Sequence, residues 1–353
     1  MKLPSRRVQF SLLAMVAGLS ITTSRAFALP FQQMIVFGDS LSDTGNDFLA
    51  TSGLIPPPGA YGNGRFTDGS NSLPSTSILG VWHEQLAGKL GLPAAGPSLA
   101  GGTDYAFGGA ETGVSSTYLG QTVPGMASQL QFFLTGKTSV PSNALYVFWG
   151  GSNNLFDAGS ASALSAAAPQ AISDLSTEIG TLASAGAKYF LWVDLPPLDK
   201  TPDLKNSPSQ AALQAATIEF NTEFATAVAA LESKYAGISI TPVDVYGLFL
   251  DLLSNPSSHG LTNVTDPAQG NLTANPDTYL FWDGTHPTTV GHGLLADLAA
   301  QDLLNTFASN VPEPGSLSLL FLGLGTAGTL IIRRRILSRQ SVNSAESPEG
   351  SRQ

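Results

Sequence analysis

Apolar residues along the chain gather into short continuous runs at Gln33–Phe37, Ala144–Trp149, Tyr189–Val193 and Ile238–Val243, with a weaker run at Thr103–Phe107. Runs this short, rich in Val, Ile, Phe and Tyr, predict strands buried on both faces. Between them the apolar spacing changes to three and four. Ile172, Leu175, Ile179 and Leu182 follow it, as do Phe220, Phe224, Val228 and Leu231, and both sets predict amphipathic helices. A last helix is predicted after Pro287, through Leu294, Leu295 and Leu298 to Leu303 and Leu304. Buried strands alternating with such helices predict one α/β domain, a mostly parallel sheet covered by helices on both faces. Two stretches break the pattern. Thr51–Leu79 is rich in Gly, Pro and Ser, and Asn255–Pro276 carries Asn-Pro and Gly-Asn pairs, so both read as loops.

The two ends read differently from the middle. Lys2, Arg6 and Arg7 precede an apolar run, Phe10–Leu19, and Ala26-Phe27-Ala28 offers a small–x–small cleavage pattern. This predicts a secretory signal peptide over residues 1–28, with the mature chain beginning near Leu29. Near the other end, Ser316–Ile332 is uncharged and is followed by Arg333, Arg334 and Arg335. Its length and flanking charge predict a transmembrane segment over 316–332, followed by a polar tail over 336–353.

Composition narrows the chemistry. With 42% hydrophobic and 12% charged residues, the chain can bury a sizeable core. It contains no cysteine, which excludes disulfides, thiolate metal sites and a cysteine nucleophile. Residues 29–310 hold seven basic and 23 acidic side chains, a net charge near −16. Such a body repels nucleic acid and anionic lipid surfaces.

Polar clusters follow the strands, where a parallel sheet collects its site. After the first strand comes GDSLSDTGN, after the weak one GGAETG, after Ala144–Trp149 GGSNN, and before the last helix FWDGTHPT. A serine hydroxyl becomes a nucleophile when a base takes its proton and a third group orients that base. The chain has four histidines, and His286 stands three residues after Asp283. That spacing lets Asp283 hold the imidazole while His286 shuttles the proton of Ser40. The Ser40 N–H, the Gly109 N–H and the Asn153 side-chain amide are candidate oxyanion donors. Asp39 and Asp43 read as turn and helix-start ligands and Asn46 as a supporting residue. His292 reads as a polar packing residue, and His83 and His259 suggest no partner. No cluster has metal-ligand spacing.

These blocks, in this order, resemble the four sequence blocks of the GDSL lipase/esterase family within the SGNH hydrolases. YGNGRFTDG (Tyr61–Gly69) and VWHEQLA (Val81–Ala87) are similar to the segment after the first block in many members. The resemblance spans roughly Met34 to Asn305. It implies a flavodoxin-like three-layer α/β/α sandwich with a mostly parallel five-stranded sheet, and ester hydrolysis with no cofactor or metal. Ser40 matches the nucleophile, Gly109 and Asn153 the oxyanion donors, and Asp283 with His286 the acid–base pair. Asn154 stands where the family usually has aspartate. VPEPGSLSLL…RRR (residues 311–335) resembles a PEP-CTERM sorting signal, implying export and an encounter with envelope sorting machinery in a Gram-negative bacterium.

The expected activity is hydrolysis of carboxylic esters through an acyl-enzyme, on lipid, short acyl ester or acetylated polysaccharide. The alternatives are a polysaccharide O-acetylesterase of the same mechanism, or a non-catalytic envelope- or exopolysaccharide-binding protein. The loop Leu54–Phe66 is expected to form one wall of the acyl pocket.

Overall fold

The computed structural model describes residues 29–68, 80–118 and 120–308. The predicted signal peptide, the sorting signal and the polar tail lie outside the described residues.

Four strands, β1 (Gln33–Gly38), β2 (Ala144–Trp149), β3 (Tyr189–Val193) and β4 (Ser239–Val243), form one sheet in that order. All pairs are parallel, from Gln33↔Ala144 at the start of β1 to Val193↔Val243 at the end of β3. Six helices matter to the argument: α1 (Trp82–Leu90), α2 (Met126–Leu134), α3 (Ala161–Ser184), α4 (Gln210–Lys234), α5 (Val245–Ser254) and α6 (Thr289–Ala308).

Alternation along each strand sorts the apolar runs between two cores. Ile35, Phe37, Tyr146, Phe148, Phe190 and Trp192 face α2, α3 and α4, meeting Phe133, Ile179 and Phe220. Met34, Val36, Val147, Trp149 and Leu191 face α1, α5 and α6, meeting Leu86, Phe249 and Leu295. Burial on both sides explains why these strands read as unbroken hydrophobic runs. Each large side chain so buried contributes about 1.5–3 kcal/mol.

The fifth strand is only partly regular. Thr103–Phe107 lies along the free edge of β1: Val36 N–H donates to Thr103 O (3.0 Å) and Tyr105 N–H to Val36 O (2.8 Å). The segment forms an isolated parallel bridge, Val36↔Asp104, rather than a strand. Its geometry is set by buried polar groups. The Asp104 carboxylate accepts from Ala106 N–H and from both N–H and Oγ1 of Thr44, while Asn46 Nδ2 donates to the carbonyls of Asp104 and Ala106. The sheet is therefore four regular strands with a side-chain-tethered edge.

The expectation of a transmembrane helix is corrected. Among the described residues no helix is long and apolar enough to cross a membrane. The stretch over which it was expected, 316–332, lies outside them.

Candidate active site

β1 ends at Gly38, and the site begins there. A side chain at Gly38 would place Cβ 2.6 Å from Trp149 O on the neighbouring strand, so only glycine allows the approach. The Gln129 side chain brackets the same residue, accepting from Gly38 N–H (3.0 Å) and donating to Gly38 O (2.9 Å). Behind it the chain turns tightly. Ser42 and Asp43 N–H donate to Asp39 O, and Leu41 N–H donates to Asp39 Oδ1 (3.0 Å). Asp43 accepts from the N–H groups of Gly45, Asn46, Asp47 and Gly108. This turn holds Ser40 at the carboxyl edge of the sheet, half-buried.

His286 approaches from the loop before α6. Its Nε2 lies 2.8 Å from Ser40 Oγ and its Nδ1 lies 2.7 Å from Asp283 Oδ2. A carboxylate beside Nδ1 places the ring proton there, leaving Nε2 to accept from the serine hydroxyl. Asp283 Oδ1 accepts from Thr285 N–H (2.8 Å) and His286 N–H (2.6 Å), so the carboxylate also caps its own turn. Burial alone would raise the Asp283 pKa. The His286 charge and the hydrogen bonds from His286 and Tyr61 outweigh it, holding the carboxyl well below its usual range.

The carboxylates under Ser40 behave in the opposite way. Burial pushes Asp39 up to about 6 against the opposing Leu41 hydrogen bond and His286 charge, and it pushes Asp43 up to about 6 against four backbone N–H groups. Burial and the neighbouring Asp43 charge push Asp47 to about 8. These groups organise the turn, and none of them bonds His286.

Gly109 sits in left-handed backbone (φ 76°) on the rim of the site, a conformation that favours glycine. Asn153 is the second residue of the short helix after β2 (Ser152–Phe156) and donates one Nδ2 proton to Ala110 O (2.9 Å). Its amide carries a second proton. Asn154 turns away from Ser40. Its Oδ1 accepts from Thr112 N–H, and its Nδ2 donates to Thr112 Oγ1, which in turn donates to Asp174 Oδ2. An aspartate could not donate to that hydroxyl and would bring a second negative charge towards Asp174.

Ser40 and His286 open onto a cavity of about 380 Å³. Trp149, Phe156, Leu198, Phe249 and Phe281 line it, with Pro196 and Pro197 on one side. No described residue of Leu54–Phe66 lines it, which corrects the expected acyl wall. That loop stands behind Asp283 and His286 instead: Tyr61 OH donates to Asp283 Oδ2 (2.6 Å), and the Phe66 ring stacks on His286 at 5.3 Å. Thr67 Oγ1 donates to Pro287 O, and Asp68 accepts from Thr289 N–H and Oγ1 at the start of α6.

Sequence reasoning missed Tyr61, Phe66, Gln129 and the Pro196–Leu198 wall. The YGNGRFTDG motif flagged the first two as a segment without showing what they face. The other histidines also gain partners. His83 Nε2 donates to Ser42 O (2.8 Å), His259 pairs with Asp251 (2.7 Å), and His292 Nδ1 accepts from Trp82 N–H.

A hydroxyl, an imidazole and a carboxylate in hydrogen-bonded line are the arrangement that acyl transfer by serine uses. The family described as GDSL-like Lipase/Acylhydrolase matches residues 34–299, and the PEP-CTERM protein-sorting motif matches residues 310–335. The chain belongs to the GDSL-like lipase/acylhydrolase family. Its sorting motif marks it for export to the cell envelope of a Gram-negative bacterium. It is 30% identical over 289 residues to the thermolabile hemolysin of Vibrio parahaemolyticus, covering 75% of this chain and 62% of the relative. It is 25% identical over 342 residues to the phosphatidylcholine-sterol acyltransferase of Aeromonas hydrophila, covering 82% and 94% respectively. A putative arylesterase structure from Agrobacterium tumefaciens aligns with a TM-score of 0.42 and 15% identity, over 78% of this chain and all of the other. The chain spans 62% and 51% of the length of the first two curated relatives it matches.

Proposed function

We propose that this protein is an exported serine esterase that hydrolyses carboxylic esters through an acyl-enzyme. The observation that carries the reading is the contact chain from Ser40 Oγ through His286 to Asp283 Oδ2, at 2.8 and 2.7 Å, beside a cavity walled in part by aromatic side chains. In the first step Ser40 Oγ bonds to the ester carbonyl carbon as His286 Nε2 takes the hydroxyl proton. The oxyanion falls between the Ser40 and Gly109 N–H groups and the free Asn153 amide proton. His286 returns the proton to the departing alcohol. Water, activated by the same imidazole, then frees the acid. Asp283 stays ionised throughout and fixes the Nδ1–H tautomer.

The cavity supports an acyl group as its occupant, because aromatic, proline and leucine side chains make up much of its wall, alongside polar ones that include Thr117, Ser152, Asp157 and Thr201. The family, and a relative named for moving an acyl group from phosphatidylcholine to sterol, support the same placing. Residues 1–28 are proposed as the export signal and 29–310 as the hydrolase domain. The test is hydrolysis of p-nitrophenyl esters from acetate to palmitate by the purified protein, with Ser40→Ala beside it. Hydrolysis by the parent, at least about 10³-fold above the variant, supports the reading. Equal rates from the two proteins would remove Ser40 as the nucleophile. A profile ending at acetate would favour the polysaccharide O-acetylesterase.

A further inference from the structure

The carboxylate that orients His286 is itself held from the far side. Asp283 Oδ2 receives two protons: His286 Nδ1–H at 2.7 Å and the Tyr61 hydroxyl at 2.6 Å. Oδ1 is occupied by the Thr285 and His286 backbone N–H groups. Four donors thus saturate one carboxylate, and Tyr61 is the only one of the four from another part of the chain, 222 residues away.

Its loop is pinned independently of that bond. Tyr61 N–H donates to Pro57 O, and Ala60 O accepts from both Trp282 Nε1 (3.0 Å) and Gln269 Nε2 (2.9 Å). Phe66, edge-on to the Tyr61 ring at 6.1 Å, carries the contact on to the face of His286. The phenol therefore arrives at Oδ2 on a segment tied to Trp282 and Gln269 as well as to Asp283.

We propose that Tyr61 is a positioning residue for the serine reaction: its hydroxyl fixes Asp283 Oδ2 in line with His286 Nδ1 and shares the negative charge that Asp283 offers the imidazole. The inference rests on the serine-esterase reading, and it concerns a side chain that does not line the acyl cavity. A donor on the same oxygen as Nδ1–H has two effects. It restrains rotation of the carboxylate, which keeps Nε2 aimed at Ser40. It also draws electron density from Oδ2, so an imidazolium formed during the reaction is stabilised less than by a carboxylate carrying His286 alone. The other titratable groups facing this pair are Asp39 beneath the nucleophile, His292 on α6 and Asp203 against Gly284. None of these donates to Oδ2.

Tyr61→Phe keeps the ring and its packing on Phe66 and removes only the hydroxyl. The variant should turn over p-nitrophenyl esters with kcat about tenfold lower and KM unchanged. Its acid limb of kcat/KM against pH should move to higher pH, because the imidazolium gains the full carboxylate charge. Ring packing alone would leave both the limb and kcat where they are. A second readout needs no turnover: the low-field proton resonance of His286 Nδ1–H, assigned by its loss in His286→Asn. It should move in Tyr61→Phe as Oδ2 loses its competing donor. An unmoved resonance, or a variant with parental kcat and acid limb, overturns the proposal. If the parent hydrolyses no ester, the esterase reading fails, and the resonance alone decides whether Tyr61 acts on the pair.

Discussion

Ser40 stands between carboxylates of opposite character, two on its own turn and one beside His286. Asp39 and Asp43, beneath it, are buried in the turn after β1, where desolvation dominates and pushes both to about 6. Asp283, across the cleft, is also largely buried, yet it is held well below the usual carboxylate range because a histidine and a tyrosine meet it. Burial alone does not decide which acid stays an anion at the site; the partners do. On the Ser40 side, backbone N–H groups donating into aspartates fix a turn. On the His286 side, backbone N–H groups also cap the turn, and an imidazole and a phenol add side-chain donors to the same carboxylate. In sequence the two regions look alike, each an aspartate within three residues of the reacting group.

That contrast can be broken most directly by exchanging charge on each side. Asp283→Asn removes the anion and presents an amide to Nδ1, so kcat should fall by about 10³–10⁴-fold. Asp39→Asn, whose amide oxygen can still accept from Leu41 N–H, should cost less than about tenfold. Comparable losses in the two variants would dissolve the distinction.

A smaller effect tests the oxyanion assignment. Asn153→Ala should lower kcat by about 10²–10³-fold with KM little changed, since the second amide proton is used only when charge develops. A loss carried in KM would make Asn153 a substrate anchor instead.

Stability against pH sharpens the contrast further. Asp39 and Asp43 have folded-state values raised from 3.8 to about 6, so their contribution is full below pH 3.8 and is lost as pH rises through about 6. His292, buried and lowered from 6.5 to about 3 by desolvation and then by the His286 and His83 charges, acts with opposite sign. Its contribution is full above pH 6.5 and is lost as pH falls towards 3. In urea titrations Asp39→Asn should therefore gain on the parent between pH 4 and pH 8, by about 1–3 kcal/mol. A pH-independent difference would mean that Asp39 does not titrate with folding.

The smallest expected effect is at Asn154. Restoring the family's usual aspartate removes the donor to Thr112 Oγ1 and adds charge on the side of Asp174, which should cost about 1–2 kcal/mol of stability at neutral pH. A stabilised Asn154→Asp protein would show that the Thr112 bridge has no role in the choice of residue.

Much of this molecule is set by local pattern. The apolar runs at Ala144–Trp149 and Tyr189–Val193 coincide with strands residue for residue, because a strand covered on both faces must be apolar throughout. Helical spacing located α3, α4 and α6 for the same kind of reason. Ser40, Gly109, Asn153, Asp283 and His286 were legible as blocks because each follows a strand or precedes a helix, where a parallel sheet gathers loops. The edge segment Thr103–Phe107 was only half legible. Its conformation depends on Asp104 and Asn46, and no periodicity records which carbonyls a side chain will take.

What the sequence determined by itself was therefore the order of layers and the kinds of group at each strand end, since periodicity and turn chemistry act over a few residues. What only the tertiary structure decided was which distant groups meet. The Tyr61 hydroxyl reaches Asp283, the Leu54–Phe66 loop stands behind His286 rather than lining the cavity, and neighbouring carboxylates take opposite shifts. Desolvation and hydrogen bonding are sums over everything close in space, and closeness across more than 200 residues is a property of the folded chain.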